Sequence, residues 1–214
     1  MQYLNDCRQF YRQFREQYTT TGSILPSSRA LARALARPLR AKPSPRRVLE
    51  IGPGTGAVTA EIVRCLQPGD RFDIVEINAE FVAHLRRRFA EEPAFQRVQG
   101  QTTILHMPLQ DVPGERCYDV MVSGLPLNNF PMTLVEDIFR SYERLLKPDG
   151  TLSYFEYLWI RGLKMPFVPA PERERLQTLT DYLQEKISRH QIGEDIVPMN
   201  MPPAVARHFR FAKP

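Results

Sequence analysis

One nine-residue segment constrains the fold of this chain more than any other part of its 214-residue sequence. Residues 48–51 read Val-Leu-Glu-Ile, which is typical of a short buried strand, and Gly-Pro-Gly-Thr-Gly follows directly. Glycines suit such a turn because they adopt positive φ angles and lack the Cβ atom that would keep a ligand away from the backbone. The amide groups of the turn and of the helix predicted after it favour a carboxylate or a phosphate. The segment therefore predicts a ligand-binding turn between a strand and a helix.

From residue 48 onward, strand-like and helix-like patterns alternate along the chain. Short apolar runs predict strands at 48–51, 72–77, 95–98, 118–123 and 151–160, and a last strand near 204–211. Helical patterns lie between them, at 57–66, 79–92, 133–146 and 172–189. Strands separated by helices indicate an α/β fold, in which right-handed crossovers build a parallel sheet with helices on both faces.

A second acidic residue completes the pattern around the glycine turn. Glu50 directly precedes the turn, and Glu76 comes 26 residues after Glu50, at the end of the second predicted strand. A carboxylate in that place can accept hydrogen bonds from both hydroxyls of a ribose. The turn and the two acids together predict a nucleoside-containing ligand at the carboxyl edge of the sheet.

The spacing of the glycines points to one class of nucleoside-binding protein. The segment reads Glu-x-Gly-x-Gly-x-Gly, with glycines at Gly52, Gly54 and Gly56, whereas dinucleotide-binding folds usually carry Gly-x-Gly-x-x-Gly. This spacing resembles motif I of the class I S-adenosylmethionine-dependent methyltransferases. The resemblance implies a Rossmann-like fold with a mostly parallel seven-stranded sheet and helices on both faces. It also implies S-adenosylmethionine as the cofactor.

The same resemblance implies roles for individual residues. The methionine portion of the cofactor would lie against Glu50 and the three glycines of the turn. Glu76 would bind the ribose, and Ile77 would pack on the adenine. Further cofactor contacts are assigned to the turn that follows the third predicted strand and to the end of the fourth, at Gln101, Thr102 and Ser123.

The segment 123–131, Ser-Gly-Leu-Pro-Leu-Asn-Asn-Phe-Pro, follows the fourth predicted strand. It departs from the Asn-Pro-Pro-Tyr-like sequence that amine methyltransferases often carry there. Together with 22–35 and 197–211, it resembles the bacterial phospholipid N-methyltransferases that convert phosphatidylethanolamine towards phosphatidylcholine. This narrower resemblance implies phosphatidylethanolamine and its methylated intermediates as substrates. A plain turn between a strand and a helix is the alternative interpretation of 124–131.

Three residues are predicted to act on the substrate, namely Tyr18, Asn128 and Tyr157. Asn128 lies where the fourth strand opens beside the transferable methyl group, so its amide oxygen could hold an attacking nitrogen. Methylated intermediates are cations, and the faces of aromatic rings attract cations. For each aromatic residue, a place in the hydrophobic core is the competing interpretation.

The positive charge of the chain is concentrated in front of the first strand. Residues 1–47 hold ten basic and two acidic residues, whereas residues 48–214 hold 19 basic and 22 acidic ones. Charge asymmetry of this kind predicts a polyanionic partner. We therefore divide the chain into a basic N-terminal helical extension, 1–47, and a methyltransferase domain, 48–214.

Two amphipathic helices are predicted within the extension. The first carries an aromatic stripe that arginines flank, and the second, over 27–40, carries an arginine face and is capped by Ser27 or Ser28. This pattern is typical of a helix that lies on an anionic phospholipid membrane. The residues assigned to membrane binding are Arg8, Phe10, Arg12, Phe14 and Arg15. The alternatives are a lid that packs on the body and a segment that binds nucleic acid.

Composition limits the remaining possibilities. No apolar run approaches the roughly 18 residues that a membrane span needs, and the first residues lack the apolar core of a secretory signal. Three cysteines without metal-ligand spacing suggest free thiols in a reducing compartment. We therefore expect a cytoplasmic enzyme without a metal, bound peripherally to the inner face of the membrane. An RNA adenine or protein methyltransferase and a non-catalytic S-adenosylmethionine-binding membrane protein are the rival hypotheses.

Overall fold

The computed structural model describes residues 28–158 and 169–211. In this part of the chain, seven strands form one sheet in the order β3-β2-β1-β4-β5-β7-β6. The strands are β1 Arg47–Ile51, β2 Arg71–Glu76, β3 Thr102–His106, β4 Tyr118–Ser123, β5 Leu146–Tyr157, β6 Gln191–Val197 and β7 Ala204–Phe209. The pairs among β1 to β5 are parallel, and β7 is antiparallel to both β5 and β6. The predicted mostly parallel, seven-stranded sheet is therefore confirmed.

Helices cover both faces of this sheet. Within the described ranges they are α1 Arg29–Leu35, α2 Arg37–Ala41, α3 Ala57–Cys65, α4 Ala79–Glu91, α5 Pro93–Gln96, α6 Met132–Leu145 and α7 Ala170–His190. Apolar residues of α1 to α5 form one core with one face of the sheet, and those of α6 and α7 form a second core with the other. The central strand β4 is buried at every position, as expected for a parallel strand covered on both faces. None of the described helices is long and apolar enough to cross a membrane.

The basic segment in front of β1 enters this fold at residue 28. The hydroxyl of Ser28 caps α1 by accepting a hydrogen bond from the N–H of Leu31 at 3.2 Å, as the sequence predicts. The structure divides the single predicted helix at Ala36, because Pro38 in the first turn of α2 has no N–H to continue the ladder. The core takes up the leucine face of both helices, at Leu31, Leu35 and Leu39.

A buried ion pair attaches α2 to the rest of the fold. The side chains of Arg46 and Asp70 are 1% and 0% exposed, and Nε of Arg46 donates to the Asp70 carboxylate at 3.2 Å. The guanidinium also donates to the carbonyl groups of Leu39 and Cys65, near the ends of α2 and α3. Asp70 accepts a further bond from the N–H of Gln67 at 2.9 Å. Although burial opposes ionisation, these donors hold the pKa of Asp70 below its ordinary value.

Asp70→Asn is expected to lower the free energy of unfolding by about 3–5 kcal/mol at pH 7, because it leaves the Arg46 charge buried and unpaired. The folded-state pKa of Asp70 lies below the unfolded-state value. Its stabilisation is therefore present above the unfolded-state pKa and is lost as the pH falls through the folded-state pKa. The difference between variant and parent should accordingly shrink in acid. Urea unfolding at pH 7 and at acidic pH measures this difference.

Asp149→Asn is the matched control for this prediction. The Asp149 carboxylate is 75% exposed beside Lys42, and such surface pairs contribute about 0–1 kcal/mol. Equal losses of stability in the two variants would contradict the anchoring role of Asp70.

The structure corrects the position of the third strand. Residues 95–98 do not form a strand, because Pro93 begins the short helix α5. The ring of Phe95 packs edge-to-face on Phe89, with the ring centroids 5.0 Å apart. The third strand lies instead at Thr102–His106. β6 was also not predicted, since its alternate positions are exposed and its apolar signal is weak.

Candidate active site

The glycine turn after β1 has the backbone conformation that its sequence predicts. The φ angle is +64° at Gly52, +56° at Gly54 and +81° at Gly56, values that residues with side chains rarely adopt. A Cβ atom on Gly54 would meet no atom within 4 Å, so the backbone of the turn is open to a ligand at this point. α3 begins directly after Gly56, and the first N–H groups of a helix have no partner within the helix. The turn thus offers backbone donors next to open space.

Three strands end side by side at this turn. The N–H of Gly52 donates to the carbonyl of Val75 in β2 at 3.0 Å, and the N–H of Gly124 donates to the carbonyl of Ile51 at 2.8 Å. A Cβ atom on Gly124 would lie 2.5 Å from the Gly52 carbonyl oxygen, so only glycine allows β4 to end this close. β1 lies between β2 and β4, which makes this edge the switch point where α/β sheets bind ligands.

Glu50, the acid directly before the turn, is buried, and its charge is only partly compensated. The residue is 1% exposed, and neither carboxylate oxygen has a hydrogen-bond partner among the described residues. Burial raises the pKa of Glu50 to about 8, and the negative charge of Glu76 acts in the same direction, while the neighbouring Thr59 and the positive charge of Arg88 oppose this shift. An orphaned buried carboxylate is costly in the free protein. This cost is typical of a site that receives a cation or a hydrogen-bond donor.

Glu76, at the end of β2, lies beside the same turn. Its carboxylate accepts the N–H of Asn78 at 2.8 Å, and the N–H groups of Gly54 and Ile77 also stabilise the charged form. Burial outweighs these donors, so the pKa of Glu76 is raised. Two acids with raised pKa values next to one glycine turn are typical of a functional site.

Gln101 and Thr102 lie away from this edge, so the predicted adenine contact is wrong. Thr102 is the first residue of β3 and pairs with the first part of β2. The Gln101 amide nitrogen donates to the carbonyl of Gln67 at 3.4 Å, at the opposite edge of the sheet. The error follows from the misplaced third strand. The turn after β3 begins beyond His106, whose Nε2 lies 3.2 Å from the carbonyl oxygen of Ile77.

The loop after β4 is fixed at both ends. The hydroxyl of Ser123 lies 2.6 Å from the Tyr142 hydroxyl in the core and accepts the N–H of Leu125 at 3.3 Å, so its side chain anchors the start of the loop. From α7, Arg175 donates to the carbonyl oxygens of Asn128 at 3.0 Å and Phe130 at 2.8 Å. The side-chain oxygen Oδ1 of Asn128 is buried and has no hydrogen-bond partner among the described residues. This oxygen can therefore accept a hydrogen bond from a ligand.

Tyr157 is the last residue of β5 and lies at the same edge of the sheet. Its ring packs edge-to-face on Phe155, with the centroids 5.2 Å apart. Both rings lie on the face covered by α1 to α5, as the alternation along the strand predicts. Tyr18 and the predicted membrane-binding residues lie outside the described ranges. The catalytic roles of Tyr18 and Tyr157 stay predictions.

Arg88 of α4 supports the glycine turn, a role that no pattern in the sequence predicts. Its Nη1 donates to the carbonyl oxygens of Thr55 at 3.1 Å and Gly56 at 2.8 Å. Two bonds to Glu92 and the ring of Phe95, 4.2 Å from the guanidinium carbon, hold the side chain in place. No sequence signal distinguishes Arg88 from the two arginines before it. Arg175, which holds the β4 loop, gives no sequence signal either.

A glycine turn and two buried acids at the switch point of a parallel sheet define a nucleoside-binding α/β protein. The profile of the family described as "Methyltransferase domain" matches residues 48–150. The chain is 35% identical over 152 residues to the ornithine lipid N-methyltransferase of Singulisphaera acidiphila, a match that covers 71% of this chain and 78% of that protein. It is 37% identical over 101 residues to a ribosomal RNA small subunit methyltransferase A of a Synechococcus species. That match covers 47% of this chain and only 35% of the relative.

Solved structures show the same fold. An O-methyltransferase of Streptomyces achromogenes involved in tomaymycin synthesis, in complex with S-adenosylmethionine, has a TM-score of 0.62 and 16% identity, with 97% of this chain and 88% of that chain covered. The 1,6-didemethyltoxoflavin N1-methyltransferase of Burkholderia thailandensis has a TM-score of 0.58 and 17% identity, with 99% and 88% covered. The chain belongs to the class I S-adenosylmethionine-dependent methyltransferases, and S-adenosylmethionine is its cofactor.

The residues at the carboxyl edge fit this cofactor. The unpartnered Glu50 carboxylate suits the ammonium group of a methionine portion, which would also supply the missing counter-charge. The bare backbone at Gly54 leaves room for that portion. Glu76 carries acceptors for two ribose hydroxyls at the end of β2. These assignments stay predictions about individual contacts.

Glu50→Gln is expected to stabilise the ligand-free protein by a few kcal/mol at pH 8.5 and to change little at pH 5. The folded-state pKa of about 8 lies above the unfolded-state value, so the parent loses stability as the pH rises between them. The neutral amide removes this loss. Thermal unfolding at several pH values, without cofactor, measures the effect.

Glu91→Gln is the control for Glu50→Gln, because Glu91 is exposed in α4. It should show no pH-dependent gain. If Glu50→Gln destabilised the protein equally at every pH, the result would contradict the prediction that the Glu50 carboxylate is buried without a partner.

Proposed function

We propose that this protein transfers methyl groups from S-adenosylmethionine to the amine of phosphatidylethanolamine and its methylated intermediates, towards phosphatidylcholine. The single observation that carries the proposal is the buried, unpartnered amide oxygen of Asn128 in the loop after β4. This loop starts at Gly124, which contacts the glycine turn. An amide oxygen there suits an N–H donor such as an amine. The relative from Singulisphaera acidiphila, named for an ornithine lipid, supports a lipid amine as the substrate class.

The protein contributes to such a reaction mainly by positioning the substrate amine relative to the cofactor. S-adenosylmethionine supplies an electrophilic methyl group when it is bound. Asn128 would accept an N–H of the substrate and so direct the nitrogen lone pair towards the cofactor edge. Arg175 holds the backbone of this loop at two carbonyl groups, which fixes Asn128. Proximity and orientation can lower a barrier by roughly 7–11 kcal/mol.

The amine must also lose a proton before it can attack. The loop residues 124–131 carry no titratable side chain. The proton therefore passes to water or to an acid or base outside this loop. Raised pH favours the neutral amine and should increase the rate.

A ribosomal RNA substrate is the second candidate, and a specific finding favours it. Several relatives are named ribosomal RNA small subunit methyltransferase A, with identities of 37–41%. The matches cover 23–35% of those proteins, so most of each relative lies outside the match. The lipid relative is instead covered over 78% of its length. We therefore favour the lipid.

The test of this function is incubation of the protein with labelled S-adenosylmethionine and with vesicles that contain both phosphatidylethanolamine and ornithine lipid. We expect label in the phosphatidylethanolamine fraction, as mono- and polymethylated species. Asn128→Ala should lower the initial rate about 100-fold, since a substrate-orienting bond is lost, while cofactor affinity by calorimetry stays unchanged. Asn129→Ala, in the same turn, is the matched control and should retain the parent rate.

Three outcomes would contradict the proposal in different ways. Label only in ornithine lipid would replace the substrate but keep the reaction class. Label only in RNA or protein would reject a lipid substrate altogether. A protein that binds cofactor, and loses this binding in Glu76→Ala, yet labels nothing would support the non-catalytic alternative.

A further inference from the structure

A groove of about 630 Å³ lies between α1, α2 and α3, outside the cofactor edge of the sheet. Its described lining consists of four arginines and one glutamate, at Arg29, Arg33, Arg40, Arg64 and Glu61. Ligand pockets in proteins commonly have volumes of about 300–1,000 Å³. The groove is therefore large enough for a phosphorylated headgroup.

Glu61 lies at the centre of this groove and is almost fully buried. Its side chain is 4% exposed, and its carboxylate is 2.5 Å from Nη1 of Arg64 and 3.6 Å from Nη2 of Arg40. The Nε atom of Arg33 is more distant, at 3.9 Å from the Glu61 carboxylate. The three guanidinium side chains stay 51–62% exposed. They thus surround one buried acid but keep their outer sides free of the core.

The charges in the groove do not balance. Four arginines against one glutamate leave three positive charges in excess. Each guanidinium has about five N–H donors, and one carboxylate can accept roughly four hydrogen bonds. Most of the donors must therefore bind water or a ligand. Arginine forks match the oxygens of a phosphate group in pairs, which makes phosphate the favoured ligand.

The groove contains only some of the arginines on the helix face that the sequence predicts. Arg37 does not line it, because its Nε pairs with Asp195 of β6 at 3.0 Å. Arg64, from the helix after the glycine turn, takes its place. The structure therefore concentrates basic residues from three helices in one concave site and gives Arg37 a different contact.

Two exposed methionines lie near the beginning of α1. The N–H of Ser28 donates to the side chain of Asn200 at 3.0 Å, and Asn200 is flanked by Met199 and Met201, which are 84% and 73% exposed. This loop joins β6 to β7 at the edge of the sheet where Tyr157 ends β5. Apolar side chains beside arginines suit a bilayer surface, where the former enter the headgroup layer and the latter bind phosphates. RNA would not need the exposed methionines.

We propose that the groove of Arg29, Arg33, Arg40 and Arg64 binds the phosphate of an anionic phospholipid headgroup and docks the enzyme on the membrane. The choice of a lipid as the occupant rests on the proposed function. Glu61 holds the guanidinium groups in the groove. The described part of the site is formed by residues of α1, α2 and α3.

The test is co-sedimentation of the full chain with phosphatidylcholine vesicles that contain phosphatidylglycerol, a lipid without an amine, and with pure phosphatidylcholine vesicles. The double variant Arg29→Gln and Arg33→Gln should bind the anionic vesicles about 10- to 30-fold more weakly, at roughly three- to fivefold per lost basic residue. Arg86→Gln with Arg87→Gln removes the same charge from the exposed side of α4 and should change binding less than threefold. Equal losses in the two double variants would reject a specific groove.

Glu61→Gln gives a second, independent readout. It raises the charge of the groove, so it should strengthen binding to anionic vesicles several-fold even though it weakens the internal ion pairs. A merely structural ion-pair cluster would lower the melting temperature in this variant and leave vesicle binding unchanged, which would overturn the proposal. Unchanged cofactor affinity by calorimetry shows that each variant is folded.

Two further arms identify the ligand. Loss of affinity for inorganic phosphate or for a 20-nucleotide RNA in the Arg29 and Arg33 variant, without loss of vesicle binding, would overturn the lipid occupant. Methylation of detergent-dispersed phosphatidylethanolamine is measured separately. If vesicle binding depends on the groove but no lipid is methylated, the groove stands and the proposed function fails. If lipid is methylated but vesicle binding does not depend on the groove, the groove fails alone.

Discussion

The contact between Gly124 and Gly52 is the constraint on which the site depends. β4 can end against the glycine turn only because a side chain at Gly124 is absent, and the same contact brings the β4 loop next to the turn. The hydrogen bond from Gly124 to Ile51 then fixes the distance between the two strand ends. The glycine turn after β1 and the loop after β4 thereby share one edge of the sheet. Position, which is the main catalytic contribution of such a fold, follows from backbone geometry.

The buried acids at this edge destabilise the protein when no ligand is bound. Glu50 and Glu76 are buried close enough for the charge of one to raise the pKa of the other, and Glu50 has no hydrogen-bond partner among the described residues. The interior of the fold bears this cost because two well-packed cores surround the sheet. A bound cation relieves it. Affinity for a cofactor with an ammonium group and stability of the empty protein are therefore opposed at Glu50.

The sequence predicts the parts of the site that backbone geometry requires, and it fails where side-chain packing decides. The glycines of the turn and the acids Glu50 and Glu76 have a spacing in the sequence that is typical of a nucleoside-binding turn. The sequence therefore predicts each of them. The position of Gln101 could not be predicted, because the run at 95–98, with its apolar ends, resembles a strand but begins in a helix that starts at Pro93. The third strand follows at Thr102–His106. Arg175 acts through two loop carbonyl groups from a distant helix. Such contacts leave no periodic or local pattern in the sequence.

The basic segment before β1 combines two kinds of arginine, and the fold separates them. Arg37 pairs with Asp195, which also lies 3.0 Å from Nε2 of the buried His208; Nδ1 of that ring lies 2.8 Å from the hydroxyl of Ser153 in β5. This chain of contacts ties α2 to the antiparallel half of the sheet. The arginines of the groove instead surround one acid and keep excess charge at the surface. Because the Arg37 contact holds α2 against the sheet, the groove beside it is attached to the core of the fold. A docking site of the kind that we propose would fix the orientation of the whole sheet, and hence of its carboxyl edge, relative to the bilayer.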